Sequence, residues 1–161
     1  MNATLQYIER LSRLKAGDLA LLRTHAGKGL NESVEAFDLF TGLWWPLRQA
    51  TQRAPRRKVA WLVAKLYAFR PLPQSPGETL AAQLRRCSPK DDPAKAQRQR
   101  QKFDEMLPLS LDEIEPSLQW VLDLISSNHL NLDWVRLTDD LSVWERESTR
   151  LNWAAQFLQA K

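Results

Sequence analysis

The chain has 161 residues, 23 Lys+Arg against 19 Asp+Glu, and a net charge of +4. That length suits one compact domain or two small helical subdomains and can bury a sizeable core. Seven tryptophans and 43% hydrophobic residues exclude disorder as a global description, and no apolar run approaches the ~18 residues of a membrane span. The first ten residues lack the charged, apolar and cleavage regions of a signal peptide. Cys87, the lone cysteine, cannot make an internal disulfide, so a reducing, cytoplasmic setting is the simplest expectation.

The hydrophobic pattern predicts an all-α fold of about eight or nine helices. Leu5, Ile8, Leu11 and Leu14 recur at three-residue spacing. Gly17 then interrupts the chain, and Asp18 is placed to cap a short second helix. Ala26-Gly27-Lys28-Gly29 reads as a loop without the context of a phosphate-binding loop. Ser33 can cap a third helix, whose stripe Val34, Phe37, Phe40 and Trp44 is expected to face the core and which Pro46 ends or kinks. Pro55 opens a fourth, reaching about Tyr67, with Val59, Leu62, Val63 and Leu66 on one face. Residues 70–77 are a proline-rich loop, Thr79–Arg86 a short helix, and residues 88–93 a second break. Further helices follow over about Ala94–Leu107, from Pro116 to Ser127, from a cap at Asp133 to Trp144, and over Ser148–Gln159, the last with Leu151, Ala155 and Leu158 on one side. No strand alternation and no internal repeat is visible. The expected organisation is two small packed bundles, 1–86 and 94–161, joined at 87–93.

The modest net charge hides segregation. Residues 48–102 carry fourteen basic and three acidic side chains, residues 103–135 carry seven acidic and none basic, and the flanking segments balance. Two readings compete: the two segments pack together and neutralise each other, or the basic one faces a polyanion, with nucleic acid the leading choice. Catalytic constellations are missing. Neither His25 nor His129 has a second ligand at metal spacing, Cys87 has no sequence-near histidine, and groups such as Asp139-Asp140 or Asp112-Glu113-Glu115 read as solvated helix faces. No enzyme activity, cofactor or metal is expected.

The basic helices carry more information. Arg57, Lys58 and Lys65 lie four before, three before and four after Trp61, so on a helix they surround an aromatic ring set away from the Val59/Leu62/Val63/Leu66 face. Such a ring can stack a base while cations hold phosphates; alternatively a partner helix covers Trp61 and the basic stems pack around it. Lys95, Arg98 and Lys102 form a second stripe with no acid between Ala94 and Phe103, and like charges at this spacing repel unless phosphates or the 103–135 acids face them. Arg85 and Arg86 add charge nearby. Arg136 has Asp139 and Asp140 three and four residues on, so a local ion pair is its default; Arg150 could extend a basic surface or pair with Glu145 or Glu147.

The C-terminal third is the most distinctive. Leu132-Asp133-Trp134-Val135-Arg136-Leu137-Thr138-Asp139-Asp140-Leu141, then Trp144, then Trp153-Ala154-Ala155-Gln156-Phe157, resembles the CasB-type small subunit of the type I-E CRISPR Cascade complex. Gly17-Asp18-Leu19-Ala20-Leu21-Leu22-Arg23 is similar to an upstream element of that family, and Arg100-Gln101-Lys102-Phe103 with Met106-Leu107 to its basic helix. The resemblance runs over nearly the whole chain. It implies two helical bundles without catalysis, a pair of copies along the belly of an RNA-guided complex, and contacts with backbone and large subunits and with the target and displaced DNA strands. Carried onto this chain, the implied nucleic-acid contacts are Arg23, Arg53, Arg56, Arg57, Lys58, Lys65, Lys95, Arg98, Lys102, Arg136 and Arg150, with Trp61 as the candidate for base stacking. One departure is that Leu151 and Asn152 stand before Trp153, where the family often carries basic residues. The rival reading is a protein–protein adaptor whose basic segment docks on acidic protein surfaces, including those of a second copy. A helix-turn-helix regulator is weaker, since no polar recognition helix follows a short turn.

Overall fold

The computed structural model describes residues 2–161; Met1, the first residue of the stretch read for a signal peptide, lies outside the described residues. Among these, nine α-helices follow one another: α1 (Ala3–Ser12), α2 (Ala16–Thr24), α3 (Val34–Ala50), α4 (Arg57–Phe69), α5 (Leu80–Arg86), α6 (Pro93–Met106), α7 (Glu115–Ser127), α8 (Trp134–Ser142) and α9 (Glu147–Gln159). A single 3-10 turn covers Leu30–Glu32. The all-α expectation holds, and no described helix is long and apolar enough to cross a membrane.

α4 is the axis of the molecule. Every residue from Val59 to Ala68 is buried, because α2, α3, α7 and α8 all pack around it. A helix apolar on nearly all sides belongs in the interior. α1 packs on α3 and α8, and the Tyr7 hydroxyl donates to the Ala60 carbonyl at 2.6 Å. α5, expected in the N-terminal bundle, packs on α9 and α7. The buried apolar side chains form one continuous core.

Several local expectations are corrected. Gly17 and Asp18 lie inside α2, whose N-cap is Lys15. α3 continues past Pro46 to Ala50, so the proline does not end it; Trp44 and Leu47 are buried on either side and packing holds the helix despite the lost hydrogen bond. The core stripe of α3 is Ala36, Phe40, Trp44 and Leu47, whereas Val34 and Phe37 are 81% and 45% exposed. On α9 Trp153 and Phe157 face inward, leaving Leu151 and Leu158 outside. In both helices two apolar stripes compete: in α9 the one carrying the rings is buried, consistent with the greater apolar area it removes from water, whereas in α3 each stripe carries one Phe and one Trp.

The proline-rich loop 70–77 is tied down by a reciprocal clasp. Asp133 caps α8 by accepting the Arg136 amide at 3.0 Å, and also accepts Gln74 Nε2 and the Gly77 amide at 2.9 Å each. Gln74 Oε1 in turn accepts the Trp134 amide at 2.6 Å. Gly77 adopts φ +85°, a conformation that favours glycine. Burial pushes the Asp133 carboxyl up, but the three hydrogen bonds and the Arg136 charge outweigh it and hold the group below the usual range.

Candidate nucleic-acid interface

The residues around Trp61 do not form an open basic patch. Trp61 is 4% exposed: its indole N–H donates to the Lys28 carbonyl at 2.9 Å and its ring meets Phe40 edge-on at 5.4 Å. Lys65 is 5% exposed, donating to Glu115 Oε1 at 2.6 Å and to the same Lys28 carbonyl at 2.8 Å, while Glu115 Oε2 accepts the Gly27 amide at 3.0 Å. A loop and α7 therefore close over this side of α4. The expectations that Trp61 stacks bases and that Lys65 contacts nucleic acid are both corrected: the ring and the ammonium are consumed inside the protein, where a charge must be paired.

The other cations of this region are largely paired at the surface. Lys58 bridges to Asp112 at 2.8 Å, Arg70 to Asp123 at 2.7 Å and Arg56 to Glu145 at 2.6 Å. The Arg56 hydrogen bond holds the Glu145 carboxyl below its ordinary range. Three acids of the 103–135 segment, Asp112, Glu115 and Asp123, are thus committed to α4 and the residue after it. Arg57 stays exposed and without an ion pair among the described residues, beside a cleft of about 370 Å³ that Lys28, Asp112 and the edge of Trp61 also line. Arg53 and Arg23 are likewise exposed and unpaired.

α6 is built differently. Asp92 caps it by accepting the Lys95 amide at 3.0 Å, and Pro93 occupies its first turn. Its buried stripe is Gln99, Phe103 and Met106, with Ala96 and Leu107 only half-buried. Phe103 stacks on Phe157 of α9 at 4.6 Å, and the Arg85 guanidinium lies 5.4 Å from the same Phe157 ring. The end of α5 and the basic helix therefore share one support. Lys95, Arg98, Arg100 and Lys102 are all exposed, and none has a carboxylate partner among the described residues. Lys102 Nζ lies 4.5 Å over the ring of Trp120 on α7, a half-buried aromatic the sequence reading did not single out. That contact joins two helices and leaves no mark at i, i+4 spacing.

The last two candidates are held at close range. Arg136 bridges to Asp140 at 3.2 Å, as its spacing suggested. Asp140 also accepts the Trp153 indole N–H at 2.8 Å; burial pushes its carboxyl up despite those partners. Arg150 is half-buried with its guanidinium 5.3 Å from the Trp144 ring and its Nε without a partner among the described residues; neither Glu145 nor Glu147 pairs with it. No group of three or more His, Cys, Asp or Glu among the described residues is arranged to hold a metal ion.

The comparisons with known proteins agree with the helical architecture. A family model described as CRISPR-associated protein Cse2 matches residues 18–158. CasB from Thermus thermophilus is similar over 99% of this chain and 100% of its own, at 22% identity and a TM-score of 0.76. CasB from M. ruber covers 98% of this chain and 93% of its own at 21% identity and 0.75, and CasB from Thermobifida fusca covers 98% of each at 17% and 0.73. No curated protein matches the chain. With a family match over most of its length and a fold shared end to end with these structures, the chain belongs to the CRISPR-associated Cse2 family, the CasB-type small subunits of Cascade-type complexes.

Proposed function

We propose that this protein is a non-catalytic nucleic-acid clamp within a type I-E Cascade surveillance complex in the cytoplasm, stabilising the R-loop through contacts with the target and displaced strands. The observation that supports it is the open face of α6: Lys95, Arg98, Arg100 and Lys102 stand in solvent without carboxylate partners among the described residues, while Asp112, Glu115 and Asp123 of the neighbouring acidic segment are paired elsewhere. Cations at helical spacing suit a sugar-phosphate backbone and read no base, so binding is sequence-nonspecific. Exchange of a DNA duplex for a guide heteroduplex is nearly balanced, so a few such contacts tip it. Arg23, Arg53 and Arg57 are free to add contacts; Arg56, Lys58, Arg136 and Arg150 would have to leave their present partners.

A second role runs beside this one. Val34, Phe37 and Trp45 leave an apolar stripe on α3, and Leu151 and Leu158 another on α9, which suit contacts with the backbone and large subunits or a second copy. If nucleic acid were not bound at all, these faces would leave the adaptor role.

Fluorescence anisotropy with labelled single-stranded DNA at rising salt tests the clamp. Binding weakens steeply with salt, and an Arg98→Glu/Lys102→Glu variant binds at least tenfold more weakly at moderate salt with unchanged helical content. Normal affinity and normal R-loop lifetime in the variant complex would remove α6 as the contact surface.

A further inference from the structure

The seven tryptophans fall into two groups. Trp44, Trp61, Trp134, Trp144 and Trp153 are buried, and each donates its indole N–H to the protein: to the carbonyls of Pro55, Lys28, Leu72 and Leu109 and to the Asp140 carboxylate, at 2.6, 2.9, 2.7, 2.7 and 2.8 Å. Buried indoles are expected to do so. Trp45 and Trp120 have no such partner among the described residues. Trp120 is only half-buried, and its N–H is absent from the buried donors that lack an acceptor, so it meets solvent.

These two differ in setting. Trp45 shares the outer face of α3 with Val34 and Phe37, a surface suited to protein. Trp120 lies under Lys102, the last cation of the open α6 stripe. Lys102 is exposed and Trp120 half-buried, so this ammonium–indole contact lies at the surface of the protein. Asp123, one turn along from Trp120, is already paired with Arg70, so its carboxylate does not stand unpaired against an approaching strand.

We propose that Trp120 is a stacking platform for a nucleobase of single-stranded nucleic acid. The base takes the place of Lys102 Nζ over the indole, and the displaced ammonium moves to the adjoining phosphate, next to Arg98 and Lys95. A solvated ammonium is held over a ring only weakly, whereas a stacked base gains more. The platform rests on the proposed clamp and deepens it: the strand is gripped by base as well as by charge, still without sequence preference, since every base offers a flat face.

Two labelled oligonucleotides of equal length separate the platform from the clamp: an oligothymidylate and a strand of abasic sugars with the same phosphates. The native protein is expected to favour the oligothymidylate about tenfold. Trp120→Leu, which keeps apolar bulk, erases that preference while leaving abasic-strand affinity and the salt slope unchanged; Trp120→Phe keeps most of it. Lys102→Gln weakens binding of both strands and lowers the salt slope by about one. Equal binding of the two strands by the native protein, or a preference that survives Trp120→Leu, overturns the platform while the clamp stands. Absence of binding to either strand at low salt overturns the clamp and the platform with it.

Discussion

α4 and α6 are both basic helices, and they use their charge in opposite ways. α4 is walled in by four other helices, so its cations either meet carboxylates, as Lys58 and Lys65 do, or stay at the exposed first turn, as Arg57 does. α6 rests on the molecule by the narrow stripe of Gln99, Phe103 and Met106, and its cations remain in water. Charge density along a sequence is therefore a poor guide to a polyanion surface until the packing of each helix is known. A deeply set helix turns its cations into internal staples.

The largest effect that separates the two helices is at Lys65. Lys65→Ala leaves Glu115 buried without its partner and is expected to destabilise the fold by about 3–5 kcal/mol in urea unfolding, with no loss of strand affinity by the folded fraction. Destabilisation under 1 kcal/mol would mean that the pair opens readily to water. Next comes the Asp133 clasp. Its folded pKa lies below the ordinary value, so its stabilisation is complete above about pH 4 and is lost as pH falls through the folded value. Asp133→Ala is expected to cost about 1–2 kcal/mol at neutral pH and to flatten the acid limb of the stability profile. Asp140 contributes with the opposite sign, because its raised pKa favours the fold at low pH and that gain fades as pH rises through it. The smallest effects belong to exposed pairs: Arg56→Ala or Lys58→Ala should change stability by about 0–1 kcal/mol and strand affinity less than Lys102→Ala does. Equal affinity losses at Lys58 and Lys102 would erase the distinction between the helices.

The sequence made the helical class legible because apolar residues recur at three and four positions nearly everywhere, and Asp133 and Pro116 mark helix starts close to where the structure has them. It was less informative about facing. α3 and α9 each carry two apolar stripes, and periodicity cannot say which one meets the core. Trp61 drew notice because its cations are close in sequence, yet that closeness placed it in a covered seam. Trp120 escaped notice because its cation comes from another helix. Contacts across elements, which decide whether a charge or ring is available, have no signature in local spacing.

The clasp at Asp133 also decides where the native chain can be cut. Composition would direct a protease to residues 70–77, but that segment is laced to α8 by side chain and backbone alike. Residues 90–92 are exposed and carry no comparable lacing, so nicking begins there. The two fragments should stay together after the cut, because α5 on one remains lodged against α7 and α9 on the other.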